Sequence, residues 1–218
     1  PVGTLKVSMG TVFGNRYVVP LLGEFLKRFP DINPDWHFDN RQVDLIGQGF
    51  DAAIGGGFEL PQGVVARKLA PAHRILLASP EYLAQRKPVV VPEDLSLCNG
   101  ILIRSPQTGR VRSWQLTHRP REQRPLVLKP RMTLSASGAA CCASAQGLGV
   151  ALVSRPMAVP YLDSGQLVRV LPDWYVDDGN ISLYYAEHKL LPGKTRAFVE
   201  FILEQFVERR LGQRFSAI

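Results

Sequence analysis

The chain has 218 residues, 45% of them apolar, and carries 26 Lys and Arg against 19 Asp and Glu, a formal net charge of +7. This length buries a sizeable core as one large domain or two small ones, and this balance excludes disorder over most of the chain. No apolar run reaches the ~18 residues that a membrane-spanning helix needs.

Thr4 to Met9 alternates as a strand, and Gly10 to Gly14 turns it into a helix. Val18, Leu21, Leu22, Phe25, Leu26 and Phe29 form one apolar helical stripe that Pro30 ends, with Pro20 near its first turns. Ile32 to Phe38 is a second strand, Val43 to Gln48 a short helix closed by Gly49, and Asp51 to Ile54 a third strand running into Gly55-Gly56-Gly57. This β-α-β-α-β order opens a doubly wound sheet.

Val64 to Leu69 and Arg74 to Ala78 read as two strands around Pro71, and Pro80 to Gln85 as a short helix with Ser79 as N-cap. Ile101 to Arg104 is a buried strand, residues 105 to 125 are irregular and basic, and Leu126 to Leu134 is a strand. A small-residue helix, Ser137 to Gln146, is closed by Gly147 and Gly149 before the strand Val150 to Val153. Arg155 to Tyr161 is helical, Leu167 to Leu171 is a strand, and Asp177-Asp178-Gly179-Asn180 is a turn. Ile181 to Ala186 is a strand, and Lys194 to Arg210 a long helix whose Phe198, Phe201, Ile202 and Phe206 need a sheet to cover, the first unit being its partner.

The chain is thus expected to leave one α/β unit, build a second and return, with crossings near Pro71 and Pro172. In open parallel sheets, ligands sit beyond the carboxyl ends of strands, at the N-termini of the following helices. Two such places are Gly10 to Asn15 and Ser135 to Gly138, where free N–H groups and the hydroxyls of Thr11, Ser135 and Ser137 suit a carboxylate, sulfate or phosphate.

Residues 67 to 131 hold 13 Lys and Arg against 4 Asp and Glu, most of the excess lying between Arg104 and Arg131 and including Arg110, Arg112, Arg119, Arg121 and Arg124. Without helical order or interleaved aromatics this is a solvated loop and not by itself a nucleic-acid surface. Three cysteines, Cys98, Cys141 and Cys142, fit a reducing, cytoplasmic compartment and match no zinc spacing. Catalysis is not expected: His37, His73, His118 and His188 are scattered, and Ser137 lies in no nucleophile elbow. Pro1-Val2-Gly3-Thr4 shows neither a basic nor an apolar leader and no initiator Met, so the chain is expected to be part of a longer protein.

The stretches GTLKVSMGTVFGNRYVVPLLGEFLKRFPDI, VDLIGQGFDAAI, VVARKLAPAHRILLASPEYLA, VPEDL, SAQGLGVALVS, SGQLVRVLPDW and KTRAFVEFI occur in an order that resembles the effector-binding domain of LysR-type transcriptional regulators. The resemblance implies an α/β fold of two Rossmann-like lobes with a hinge, of the type II periplasmic-binding-protein kind. Lobe I would be 1–71 plus 173–218 and lobe II 72–172, with the winged helix-turn-helix absent from this chain. It further implies a homodimer or homotetramer, and DNA contact only through the missing N-terminal domain. A small effector, a carboxylate among the candidates, would bind in the interlobe cleft without a cofactor or metal. The effector residues so implied are Met9, Thr11, Phe13, Leu102, Ile103, Arg104, Ser135 and Ser137, with Val153 and Ser154 as weaker members. The helix Val18 to Phe29 and the helix at 137 to 147 would carry the dimer contact. Gly55 stands where the family often has Arg, which predicts a less cationic wall and a more flexible loop. The competing readings are an exported solute-binding protein of the same fold and a redox-sensing regulator using Cys141 or Cys142.

Overall fold

The computed structural model describes residues 1–56, 59, 61–118 and 121–218, and its chain divides into two units. Unit 1 comprises Pro1–Pro71 and Gly179–Arg214, and unit 2 comprises Ala72–Asp178 and Phe215–Ile218. Gly57 and Arg119, both singled out in the sequence, lie outside the described residues.

In unit 1, β1 (Gly3–Met9) is central, with β2 (Ile32–Phe38) parallel on one side and β3 (Ala52–Gly56) parallel on the other. The expected single helix after β1 is instead a composite: α1 (Thr11–Phe13), a π-turn at Gly14–Val18, a 3-10 turn at Val19–Leu21, and α2 (Leu22–Arg28). Pro20 explains the break. It offers no N–H and its ring crowds the carbonyl four residues back, so the regular ladder cannot pass; the Val19 N–H reaches back five residues to the Gly14 carbonyl instead.

The stripe still does its work, since Leu21 and Phe25 are buried. The Phe25 ring meets Phe198 edge-on at 5.8 Å and Phe201 at 5.2 Å, both on α6 (Gly193–Glu208), so the last long helix covers unit 1 as its apolar face requires. Each such fully buried aromatic contributes roughly 1.5–3 kcal/mol. The segment Val43 to Gln48 forms turns and no helix. Asp44 closes a single turn by accepting the Gly47 N–H at 3.0 Å, and Gly47 and Gly49 (φ +66°) stop it from propagating. Gly55 and Gly56 are paired in strand, not loop, opposite Ser182 and Ile181. A Cβ on Gly56 would lie 2.4 Å from the Asn180 carbonyl oxygen, so the glycine permits close strand approach.

Two of the three passages between the units occur inside long strands, and the third follows Arg214. One is β4 (Val64–Ala78), continuous where two strands around Pro71 were expected. The other is β11 (Trp174–Ala186), which runs through the expected Asp177–Asn180 turn and moves the second passage from Pro172 to Asp178–Gly179. Two arginines fix the Asp178 carboxylate, and the strand runs on past Gly179, whose φ of +82° only a glycine adopts readily, without reversing.

In unit 2, β5 (Asn99–Ile103), β8 (Lys129–Leu134) and β9 (Val150–Ser154) run parallel, in the order β8-β5-β9. The second half of β4 lies antiparallel to β9, and β10 (Val168–Val170) lies antiparallel to β4. The stretch expected to be irregular contains a hairpin of β6 (Gln115–His118) and β7 (Glu122–Pro125), docked through β6 onto Trp174 and Tyr175. Helix α3 (Pro80–Ala84) follows β4, α4 (Ser137–Ala145) follows β8, and α5 (Arg155–Asp163) follows β9.

Residues Phe215–Ile218 belong to unit 2 and not to lobe I as expected. Phe215 is fully buried, His73 Nδ1 accepts the Ala217 N–H at 2.9 Å, and Arg169 donates to the Ala217 carbonyl at 3.0 Å. No helix among the described residues is long and apolar enough to cross a membrane.

Candidate functional site

In unit 2 the polar candidates fall on one line across the sheet. Ile103 pairs with Leu134 and the Arg104 N–H donates to the Leu134 carbonyl at 2.7 Å, which sets Arg104 beside Ser135. Ile101 pairs with Ala151, and the same register carried three residues onward sets Arg104 level with Ser154. Ser154 pairs with Arg74 across β9 and β4. The row Ser135, Arg104, Ser154, Arg74 therefore crosses the sheet at the carboxyl ends of its three parallel strands, where the following helices begin. Leu102 and Ile103, both half-buried, lie just inside it.

Helix α4 opens next to this row. Its N-cap is Ala136, which has no side-chain acceptor, and no side chain caps the first turn. In contrast, Ser79 Oγ accepts the Tyr82 N–H at 3.1 Å at the helix Pro80–Ala84. The first-turn donors of α4 thus sit between Ser135 and Ser137 with no side-chain acceptor, and the helix dipole adds partial positive charge there.

In unit 1 the candidates stand at the end of β1. The Thr11 N–H, expected to be free, donates to Asn40 Oδ1 at 3.2 Å. The segment after β2 folds over this end of β1, with the Asp39 N–H on the Met9 carbonyl at 2.9 Å. Thr11 is exposed, but Phe13 packs its ring on Tyr17 at 5.3 Å and on Phe206 at 6.3 Å. The side chains of Met9 and Val153 are buried in the cores of their own units and are not presented outward.

Sequence reasoning missed three residues beside the row. Asp178, whose side chain is only 6% exposed, accepts Arg74 Nε at 2.9 Å on one oxygen and pairs with Arg112 Nη1 at 3.1 Å on the other. Both guanidinium groups lie over the Trp114 ring, Arg74 at 4.7 Å and Arg112 at 4.1 Å from its centroid. The only signal available in sequence was an Arg-x-Trp in a basic stretch; the carboxylate is more than sixty positions away.

The cysteines separate by environment. Cys98 and Cys141 are buried, and burial pushes the Cys98 thiol above its ordinary value. Cys142 is exposed, with Sγ 3.2 Å from the Tyr161 hydroxyl. No group of His, Cys, Asp or Glu among the described residues could hold a metal ion.

A two-unit α/β chain with polar residues and an uncapped helix lined up at strand carboxyl ends has the form of a substrate-binding domain. The chain belongs to the LysR substrate binding domain family, which matches residues 1–207. It is 31% identical over 210 residues to the HTH-type transcriptional regulator DmlR of Escherichia coli, covering 95% of this chain and 67% of that protein. It is 28% identical over 205 residues to the HTH-type transcriptional regulator PtxR of Pseudomonas aeruginosa, covering 94% of this chain and 64% of that one. The chain spans 59% to 64% of the length of PtxR and of an HTH-type regulator of Xanthomonas campestris. Among solved structures it matches the full-length virulence activator AphB of Vibrio cholerae with a TM-score of 0.79 at 26% identity, covering 94% of this chain and 68% of that one.

Proposed function

We propose that this chain is the ligand-sensing part of a LysR-type transcriptional regulator. A small molecule binds at the carboxyl ends of the strands, and binding changes how DNA-reading residues outside this chain engage their site. The observation that carries the reading is the row Ser135, Arg104, Ser154 next to the uncapped start of α4. Hydroxyls, a guanidinium and backbone donors without a side-chain cap supply several hydrogen bonds to one ligand, while Leu102, two positions before Arg104 and on its face of the sheet, gives it an apolar wall. Helix N-termini and arginine favour an anion, so small carboxylates are the first class to test.

The two units joined by two strands provide the switching element. A ligand that binds one arrangement better than another shifts their populations, and a differential affinity of about 1–3 kcal/mol alters a coupled equilibrium five- to 150-fold. A homodimer or homotetramer, through the composite helix after β1 and through α4, converts that shift into altered DNA spacing.

Thermal stability of the 218-residue chain against a library of small carboxylates and aromatic acids tests the reading. A ligand at 100 times its Kd stabilises by about 2.7 kcal/mol, which raises Tm by roughly 5–11 °C in a chain of this size. A library in which no member raises Tm refutes it.

A further inference from the structure

We propose that Arg74 is the carboxylate-recognising residue of the unit 2 site and that Asp178 and Trp114 hold its guanidinium in position for that task. This inference rests on the ligand-sensing reading and adds the chemical class of the ligand and the residue that selects it.

Arg74 stands directly opposite Ser154 in the antiparallel register, so both side chains lie on the same face of the sheet at the end of the polar row. Asp178 takes the Nε edge of the guanidinium, and the Trp114 ring lies against its plane. With Nε committed, the two terminal NH2 groups remain, and they have no hydrogen-bond partner among the described residues. Such an edge matches the two oxygens of a planar carboxylate, and a guanidinium already fixed by an ion pair and a ring loses less freedom on binding than a free one.

Charge supports the same assignment. Asp178 is shared by Arg74 and Arg112, so two cations face one anion and the cluster keeps one positive charge uncompensated. Arg104, in the same row, adds another, and the row itself contains no carboxylate. One carboxylate beside Ser154 would balance the excess. Asp178 does not touch that ligand; it is a positioning residue, and its burial keeps it from being replaced by water.

Isothermal titration with benzoate and succinate and with their neutral amides, benzamide and succinamide, tests the assignment on the wild-type chain, Arg74→Gln and Arg74→Lys. Wild type is expected to favour carboxylate over amide by at least tenfold. Arg74→Gln is expected to bring that ratio near one, and Arg74→Lys, which keeps the charge and loses the fork, to restore it in part. General unfolding would weaken acid and amide alike and leave the ratio unmoved, so the ratio separates recognition from structure. For Asp178→Asn, the ratio should fall while Arg74 is still present. If wild type binds amides as well as acids, or Arg74→Gln keeps the wild-type ratio, the inference is overturned and the ligand-sensing reading survives. If none of the four probes binds the wild-type chain, the inference is overturned, and the library screen separately decides the reading on which it rests.

Discussion

Gly147 and Gly149, two residues apart in the loop between α4 and β9, should respond very differently to the same added methyl group. Gly147 has φ +74° and closes α4, but a Cβ there meets only Ser79 Oγ at 3.7 Å, an ordinary contact. Alanine at Gly147 therefore pays only the left-handed backbone penalty, about 1–2 kcal/mol. Gly149, at φ +156°, also has a backbone conformation that L residues rarely adopt, and in addition a Cβ there would stand 2.4 Å from the Asn99 carbonyl oxygen and 3.1 Å from its carbon, both in backbone that cannot rotate aside. Relief requires β9 to move away from β5, which disturbs the Gly100–Val150 pairing and the Ser144 hydroxyl bonded to the Gly149 carbonyl at 2.9 Å. Overpacking costs about 1–3 kcal/mol where side chains can yield, and a backbone obstacle places Gly149→Ala at about 2–4 kcal/mol. Urea unfolding of both variants, with the difference taken from the midpoints at equal slope, measures the gap. Gly149→Ala costing no more than Gly147→Ala would refute the steric argument.

Three further outcomes are expected. In double-mutant cycles on stability, Asp178 should couple to half-buried Arg74 by about 1.5–3 kcal/mol, and to the more exposed Arg112 by at most about 1 kcal/mol; the opposite order would contradict the cluster geometry. Iodoacetamide should label Cys142 rapidly in the native chain and leave buried Cys98 and Cys141 slow until denaturant is added, as mass spectrometry of timed samples would show; fast labelling of Cys98 would contradict its burial. The Asp94 carboxylate accepts the Val90 and Val91 N–H groups, which holds its pKa below the ordinary 3.8. Its folded value is depressed, so the associated stability is present above the unfolded value and is lost as pH falls through the folded one. A carboxyl NMR titration with an Asp94 midpoint at or above 3.8 would contradict this.

Periodicity alone located most of the elements, because an apolar stripe such as Val18 to Phe29 or Phe198 to Phe206 has few ways to be buried. Ser79 as an N-cap and Gly147 as a helix stop were equally legible, since both act within a few residues of themselves. The departures share one cause, which is action at long sequence distance. Asp177–Asn180 has turn chemistry locally, yet Arg74 and Arg112 hold Asp178 in a strand. The hairpin of β6 and β7 lacks alternation because β7 is exposed along its length and β6 is held by its edge, through strand pairing to Trp174 and Tyr175. Of the candidate site, the serines and Arg104 were readable from strand ends, whereas Arg74 was not, because its register opposite Ser154 depends on a strand pairing eighty positions apart. Thr11 kept its place but not its free donor, which Asn40 takes.

The most direct test of the account maps where a ligand lands. Amide chemical shifts of the 218-residue chain, followed while a stabilising compound from the screen is titrated in, are expected to move together and saturate at Arg104, Ser135, Ser137 and Ser154. Saturating shifts confined to other surfaces, such as β7 or β10, with those residues unmoved, would contradict it.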